Sequence, residues 1–299
     1  MEVQKTAELT GHSNPIFSLE LSQKPGILFT GGNDKGLVEW SLESNSFIKV
    51  MFPVMASIYA IHCPVGYPLM FAGLRSGEVL VFNFIEQKIT HRLRHHVKPV
   101  FDIKSEEGKK EIIIASEDGS VSIWSLETME LVHTIKVSND TVRSISISPY
   151  FDIAFGCRDN SIAVYDTQEY AFIEKIEGHT MAVFSVQYSP DGKYLISGAR
   201  DAQLKIWDAA TYNLIQNIPA HLFAVNHILF HPTRPYFATA SMDKSIKIWD
   251  AVDFKLRKII SREKGYASHA LSINKLAWNG DQLLSAGDDK KVIIWKITF

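Results

Sequence analysis

Apolar and polar residues alternate along this chain in short runs, punctuated by Gly, Pro, Asp and Asn. The stretch Ser197–Asp208 and the residues just before it show the grammar. Tyr194-Leu195-Ile196-Ser197 reads as a short apolar strand that ends in a hydroxyl. Arg200-Asp201-Ala202-Gln203 reads as a turn led by Asp, whose carboxylate bonds nearby backbone N–H groups. Leu204-Lys205-Ile206-Trp207 alternates with period two, the pattern of a half-buried strand. The hairpin recurs seven times, ending at Trp40, Phe82, Trp124, Tyr165, Trp207, Trp249 and Trp295, with gaps of 42, 42, 41, 42, 42 and 46 residues. Six residues before each aromatic stand Asp34, Ser76, Asp118, Asp159, Asp201, Asp243 and Asp289. A fixed period of this length marks a repeat architecture.

The period, the Trp207-Asp208 and Trp249-Asp250 pairs and the Gly11-His12 and Gly178-His179 pairs resemble the WD-repeat β-propeller family, over essentially the whole chain. The resemblance implies an all-β fold: a single seven-bladed propeller over residues 1–299, built of four-stranded antiparallel blades. In unit five the four strands are expected at Ala182–Tyr188, Tyr194–Ser197, Leu204–Asp208 and Asn213–Ile218. Pro and Gly fall in the connections, such as Ser189-Pro190-Asp191-Gly192, where no ladder hydrogen bond is lost. Unit seven lacks a fourth strand, while Glu2–Leu9 is a spare one. Pairing Glu2–Leu9 beside Lys291–Ile297 closes the ring and removes an exposed edge. Some units depart from the pattern. Unit two has Val54, Ser76 and Phe82 in place of His, Asp and Trp, and unit four has Ser138 and Tyr165 in place of His and Trp. The longer connection Ser261–Ala267 reads as a mobile surface loop.

Composition narrows the class of partner. A net charge of −2 and a pI near 6.6 leave no electrostatic footprint for nucleic acid. Cys63 and Cys157 fall in repeats that should not touch, so they are expected as free thiols of a reducing compartment. Residues 1–10 have no apolar core of a signal peptide, and no apolar run reaches the length of a membrane span. The expectation is a cytoplasmic protein with no membrane partner.

One constellation looks catalytic. His179, Ser197 and Asp201, with Trp207, contain the residue types of a hydrolase triad. The same set recurs as His12, Thr30, Asp34 and Trp40; as His221, Thr239, Asp243 and Trp249; and as His269, Ser285, Asp289 and Trp295. Unit three keeps His96, Asp118 and Trp124 but has Ile114 at the hydroxyl position. An active site is not built this many times in one chain. The sets resemble the family's buried structural tetrad, in which Trp N–H, hydroxyl, His and Asp satisfy one another in series. No Walker loop, dinucleotide fingerprint or zinc spacing is present, so neither metal nor cofactor is expected.

Function is expected on the face that carries the Asp turns, which the family resemblance marks as the usual binding face. Two rings of side chains should point there. Five residues after the His position lie Phe17, Tyr59, Phe101, Arg143, Phe184, Asn226 and Asn274. Just before the turn Asp position lie Asn33, Arg75, Glu117, Arg158, Arg200, Met242 and Asp288. Aromatic and Arg side chains dominate binding hot spots. The expected role is a non-catalytic scaffold that binds a partner protein or peptide, with acidic or phosphorylated side chains meeting Arg75, Arg143, Arg158 and Arg200. The alternatives are an obligate subunit whose edge or opposite face is buried in a larger complex, and an enzyme with a small-molecule site at the channel mouth.

Overall fold

The computed structural model describes residues 1–34 and 36–299. Seven four-stranded antiparallel sheets make up the chain. In blades one to six the strands run in sequence order from the channel outward; blade five, for example, comprises Val183–Tyr188, Tyr194–Ala199, Gln203–Asp208 and Leu214–Pro219. The inner strands touch in cyclic order, with that of blade seven (Ile273–Asn279) against that of blade one (Ile16–Leu21). The ring is therefore closed.

Closure uses the N-terminal strand, Glu2–Leu9, as the outer strand of blade seven. It pairs antiparallel with Val292–Thr298, from Glu2 opposite Thr298 to Leu9 opposite Val292. Leu9 is buried between blades seven and one. At the rim, Glu8 takes ion pairs from Lys5 and Lys291, which hold its carboxyl below the usual range.

Burial does not alternate on the two middle strands, which are buried at almost every position between neighbouring blades, so Leu204–Trp207 is buried throughout where its period-two pattern suggested a half-buried strand. The core lies between the blades in seven apolar clusters. Close blade packing explains one recurrent sequence choice. A Cβ on Gly73 would sit 2.5 Å from Val100 Cγ1 of the next blade, and one on Gly198 would sit 2.5 Å from Val225 Cγ1. The homologous positions are Gly or Ala in every blade: Gly31, Ala115, Gly156, Ala240 and Ala286 in the others. The connection Ser261–Ala267, expected as a loose loop, contains a turn of 3-10 helix at Arg262–Lys264. Gly265 ends it at φ 83° and the Tyr266 ring packs on Trp295 at 6.2 Å. Among the described residues no helix is long and apolar enough to cross a membrane.

Candidate functional site

The tetrads fix the loops that carry the site. In blade five the Trp207 indole N–H donates to Ser197 Oγ (2.8 Å), Ser197 Oγ meets His179 Nε2 (2.8 Å), and His179 Nδ1 meets Asp201 Oδ2 (2.9 Å). Blade six repeats this through Trp249, Thr239, His221 and Asp243 at 3.0, 2.7 and 2.9 Å. Blade seven repeats it through Trp295, Ser285, His269 and Asp289 at 3.0, 2.9 and 2.7 Å. In blade one Trp40 and His12 each stand 2.7 Å from Thr30 Oγ1, and His12 pairs with Asp34. The donor order runs in one direction only with a neutral imidazole: the hydroxyl donates to Nε2 and Nδ1–H donates to the carboxylate. Burial supports that state by lowering the pKa of His12 and His221. Burial alone would raise the Asp243 carboxyl, yet bonds from His221, Ser245 and Leu222 N–H hold it well below its usual value. Thr30, Ser197, Thr239 and Ser285 are fully buried, and each already accepts an indole N–H. No substrate carbonyl can approach such a hydroxyl, so the geometry of these sets serves the fold.

Three blades solve the same problem differently. Blade three carries Ile114 on its second strand, and its hydroxyl comes instead from Ser122 on the third. Ser122 Oγ lies 2.9 Å from both His96 Nε2 and Trp124 Nε1. Ile114 and Ser122 are cross-strand partners, so the oxygen has moved across the ladder to reach the same point. In blade two the buried members are apolar: Val54, Ala72 and Phe82 occupy the His, hydroxyl and Trp positions and pack in one cluster, while Ser76 at the Asp position is exposed. Replacing all partners together leaves no orphaned donor. In blade four Ser138 Oγ donates to Asp159 Oδ2 at 3.0 Å, while the Tyr165 ring packs edge-on against Phe155 at 5.8 Å.

Both expected rings lie on the face these turns define, and a common device places the inner one. Every inner strand has its register shift at the ring residue: Phe17, Tyr59, Phe101, Arg143, Phe184, Asn226 or Asn274. A bulge inserts one unpaired residue and re-aims its side chain, here into the channel mouth. The preceding residue is a fully buried Ile or Val in all seven blades, which anchors the bulge. The outer ring is held beside it by one backbone bond per blade. Asn33, Arg75, Glu117, Arg158, Arg200, Met242 and Asp288 each donate their N–H to the carbonyl two residues before the bulge, at 2.8–3.0 Å.

The inner ring forms a continuous arc. Phe17 packs on Tyr59 (centroids 5.0 Å), Tyr59 stacks on Phe101 (5.4 Å), and the Arg143 guanidinium lies between Phe101 (4.3 Å) and Phe184 (4.6 Å). Arg143 is thus turned into the channel, while Arg158 stays exposed with its guanidinium 3.7 Å from Asp140. Asn226 bonds Ser272 Oγ and the Ile273 carbonyl, and Asn274 bonds the Ile16 carbonyl and Asp288, completing the circle. The seven side chains are half-buried around an open cavity of about 470 Å³ that Met242, Ser272, Lys275 and Asp288 also line.

Below the mouth the channel is polar, because the innermost edges leave backbone N–H groups to satisfy. Side chains of the preceding blade accept them: Asp102 from Ile145, Ser185 from Ile228, Ser146 from Tyr188 and His227 from Leu276, at 2.8–3.2 Å. His62 joins Glu20 (3.2 Å) to Ser105 (2.8 Å) across three inner strands. Both cysteines are buried and unpaired, and burial pushes the Cys157 thiol up to about 12.

A third set of surface residues was missed by sequence reasoning. One or two positions after the His position the loops of blades two, three, five, six and seven expose Met55 (92%), Val97 (83%), Met181, Leu222 (80%), Phe223 and Leu271, with Met242 beside them, whereas blades one and four carry polar residues there. The signal was present as apolar residues in otherwise polar loops at a fixed offset from His. These side chains form an apolar crown outside the two rings, interrupted at blades one and four.

The chain matches the WD domain, G-beta repeat family over residues 3–41, 87–125, 171–208, 212–250 and 261–296. The unmatched intervals hold blades two and four, whose tetrads are replaced or incomplete. Among curated proteins, the chain is similar to Autophagy-related protein 16 of Arabidopsis thaliana, 24% identical over 62% of this chain and 37% of that one. It is also similar to WD repeat-containing protein 90 of Xenopus tropicalis, 28% identical over 42% of this chain and 7% of that one. Similarity to a Striatin homolog of Dictyostelium discoideum is 21% identity over 66% of this chain and 28% of that one. The chain spans between 7% and 37% of the length of the curated relatives it matches. With five repeats matched by sequence and seven blades in a closed ring, the chain belongs to the WD-repeat family of β-propellers.

Proposed function

We propose that the protein is a non-catalytic interaction scaffold that binds a partner protein or peptide on the face bearing the two rings. The observation that carries this reading is the exposed apolar crown around an open, aromatic-lined mouth. Contiguous exposed apolar surface rimmed by polar groups marks interaction sites, and aromatic, Met and Arg side chains are the types enriched in them. Arg75 and Arg200, exposed and without an ion-pair partner among the described residues, and Arg158 give the rim a positive character suited to acidic or phosphorylated partner residues. Two free buried thiols suit a reducing compartment, so the cytoplasm is the proposed location.

Affinity capture from lysate with wild type, Leu222→Glu/Phe223→Glu and Arg158→Glu/Arg200→Glu tests this reading, with Phe172→Glu on an outer strand as control. Loss of the same partners from both face variants, with melting temperatures held, is the expected result. Retention of all partners by both would refute it. A second reading has its own support: outer strands expose apolar pairs, Phe47/Ile48, Leu131/Val132, Phe172/Ile173 and Leu214/Ile215. An obligate subunit would bury these, and loss of partners from Phe172→Glu alone would favour it.

A further inference from the structure

Two cations inside the ring have no directly bonded anion among the described residues, although Asp102 lines the small inner cavity with them and Asp288 the mouth. Arg143 is clamped between Phe101 and Phe184, which fixes the plane of its guanidinium. Lys275 stands on the inner strand of blade seven, one residue after the bulge at Asn274. Among the described residues neither donates a hydrogen bond, and neither comes within 4.0 Å of a carboxylate. Both line the cavity of about 470 Å³ at the mouth, and both line a second, small cavity of about 30 Å³ directly beneath it. The floor of that small cavity also carries Ser144, whose buried Oγ has no hydrogen-bond partner.

The carboxylates near the pair act on it without contact: Glu117 raises the pKa of Arg143, and Asp102 and Glu20 raise that of Lys275. Asp102 and Glu20 raise the pKa of Lys104 and so are engaged with a third cation deeper down. Asp288 at the mouth is bonded through Oδ1 to Asn274. Burial lowers the pKa of Lys275; Asp102 and Glu20 raise it, while Lys104 and Arg143 lower it. Burial, with Lys275 and Lys104 nearby, lowers the pKa of His227 well below its usual value. Burying a charge without a partner is costly, so a site that does so repeatedly is shaped for a ligand.

We propose that the channel mouth binds a phosphate monoester, with Arg143 and Lys275 as the groups that touch it. Two cations whose N–H donors are all free among the described residues suit a group with three acceptor oxygens and between one and a half and two negative charges better than a carboxylate with one. The Arg fork offers paired N–H donors to two phosphate oxygens, and Lys275 adds a point charge. The mouth is much larger than the phosphate alone, so the group is carried on something that extends outward past the aromatic arc. The carrier is a phosphorylated partner side chain or a free phosphorylated small molecule; the first rests on the reading of this face as the partner-binding face.

Calorimetric titration with inorganic phosphate, O-phosphoserine and glutamate separates these cases, using wild type, Lys275→Gln and Arg143→Gln. Wild type is expected to bind both phosphates and to bind glutamate at least tenfold more weakly. Lys275→Gln removes a charge that has no protein partner. It should melt no lower than wild type while losing at least tenfold in phosphate affinity, and Arg143→Gln should lose as much. Phosphoserine at least tenfold tighter than inorganic phosphate points to the partner-borne source, and equal affinities point to a free one. Absence of binding, affinity unchanged in Lys275→Gln, or glutamate as tight as phosphoserine would overturn the proposal. Failure here with partner capture still lost in the Arg158/Arg200 variant would leave the reading of the face standing.

Discussion

Replacing Ser122 by Ala removes one oxygen and leaves two buried ring nitrogens, Trp124 Nε1 and His96 Nε2, with nothing at 2.9 Å. An unsatisfied buried polar group costs about 1–3 kcal/mol, and two that share one partner together cost about 3 kcal/mol. A chain of this length has an unfolding entropy of roughly 0.6 kcal/mol/K, so the melting temperature should fall by about 5 °C. The exchange Ile114→Ser/Ser122→Ile returns the oxygen to the second strand and conserves volume. It reproduces the arrangement of blade seven, where Ser285 faces Ile293 across the same ladder. This double variant should melt within about 2 °C of wild type. Scanning calorimetry at two or more scan rates gives the comparison and exposes any irreversible step. If Ser122→Ala melts within about 1 °C of wild type, or if the exchange melts lower than the single variant, the series of bonds is not what stabilises the blade.

Blade two makes the converse case: Phe82→Trp alone buries an indole N–H beside Ala72 and should destabilise by about 1–3 kcal/mol, and adding Ala72→Thr should recover part of this in urea unfolding. Deleting residues 1–9 uncovers the ladder of Val292–Thr298 and removes buried Leu9; a truncated chain that melts with wild type would contradict the closure energetics. Stability should decline as pH falls. The imidazoles of His12, His221 and His227 have folded pKa values below the free one. Folded protein therefore binds fewer protons than unfolded, and their contribution is complete above about pH 6.5 and is lost as the pH falls below it. The tetrad carboxyls, also depressed, add a second loss below about pH 4. Melting temperatures that rise between pH 7 and 5 would contradict this sign.

The repeat was legible because one hydrogen-bonded unit demands the same residues at the same spacing. Asp201 and Trp207 must stand six apart for a two-stranded turn to bring Asp201 to His179 and Trp207 to Ser197, and the chain restates that demand in five of its blades. What stayed hidden depends on pairing rather than spacing. Ser122 replaces a hydroxyl across a ladder, which only the register of Ile114 against Ser122 reveals. Arg143 was expected in the inner ring to meet an acidic partner, but not the clamp that sets its position, Phe101 and Phe184 from the two neighbouring blades. The apolar crown escaped because single exposed apolar residues in loops are unremarkable one at a time; only the ring brings Met55, Val97 and Leu222 onto one face.

The pairing of Glu2–Leu9 with Val292–Thr298 also governs how the ring assembles and comes apart. One of these contacts, from the Thr6 hydroxyl to the Ile294 carbonyl, joins residues 288 positions apart, a far longer span than the hairpins within each blade. Closing so large a loop is an entropic barrier that local strand pairing cannot share. Blades one to six can form from neighbouring segments, while the seventh waits on the meeting of two distant strands, so closure is expected to be the slow, late step of folding. In reverse, the same strand is the natural point of opening. Its detachment would turn a closed ring into an arc with two exposed edges, and a ligand bridging blades four and seven at the mouth would hold that ring shut.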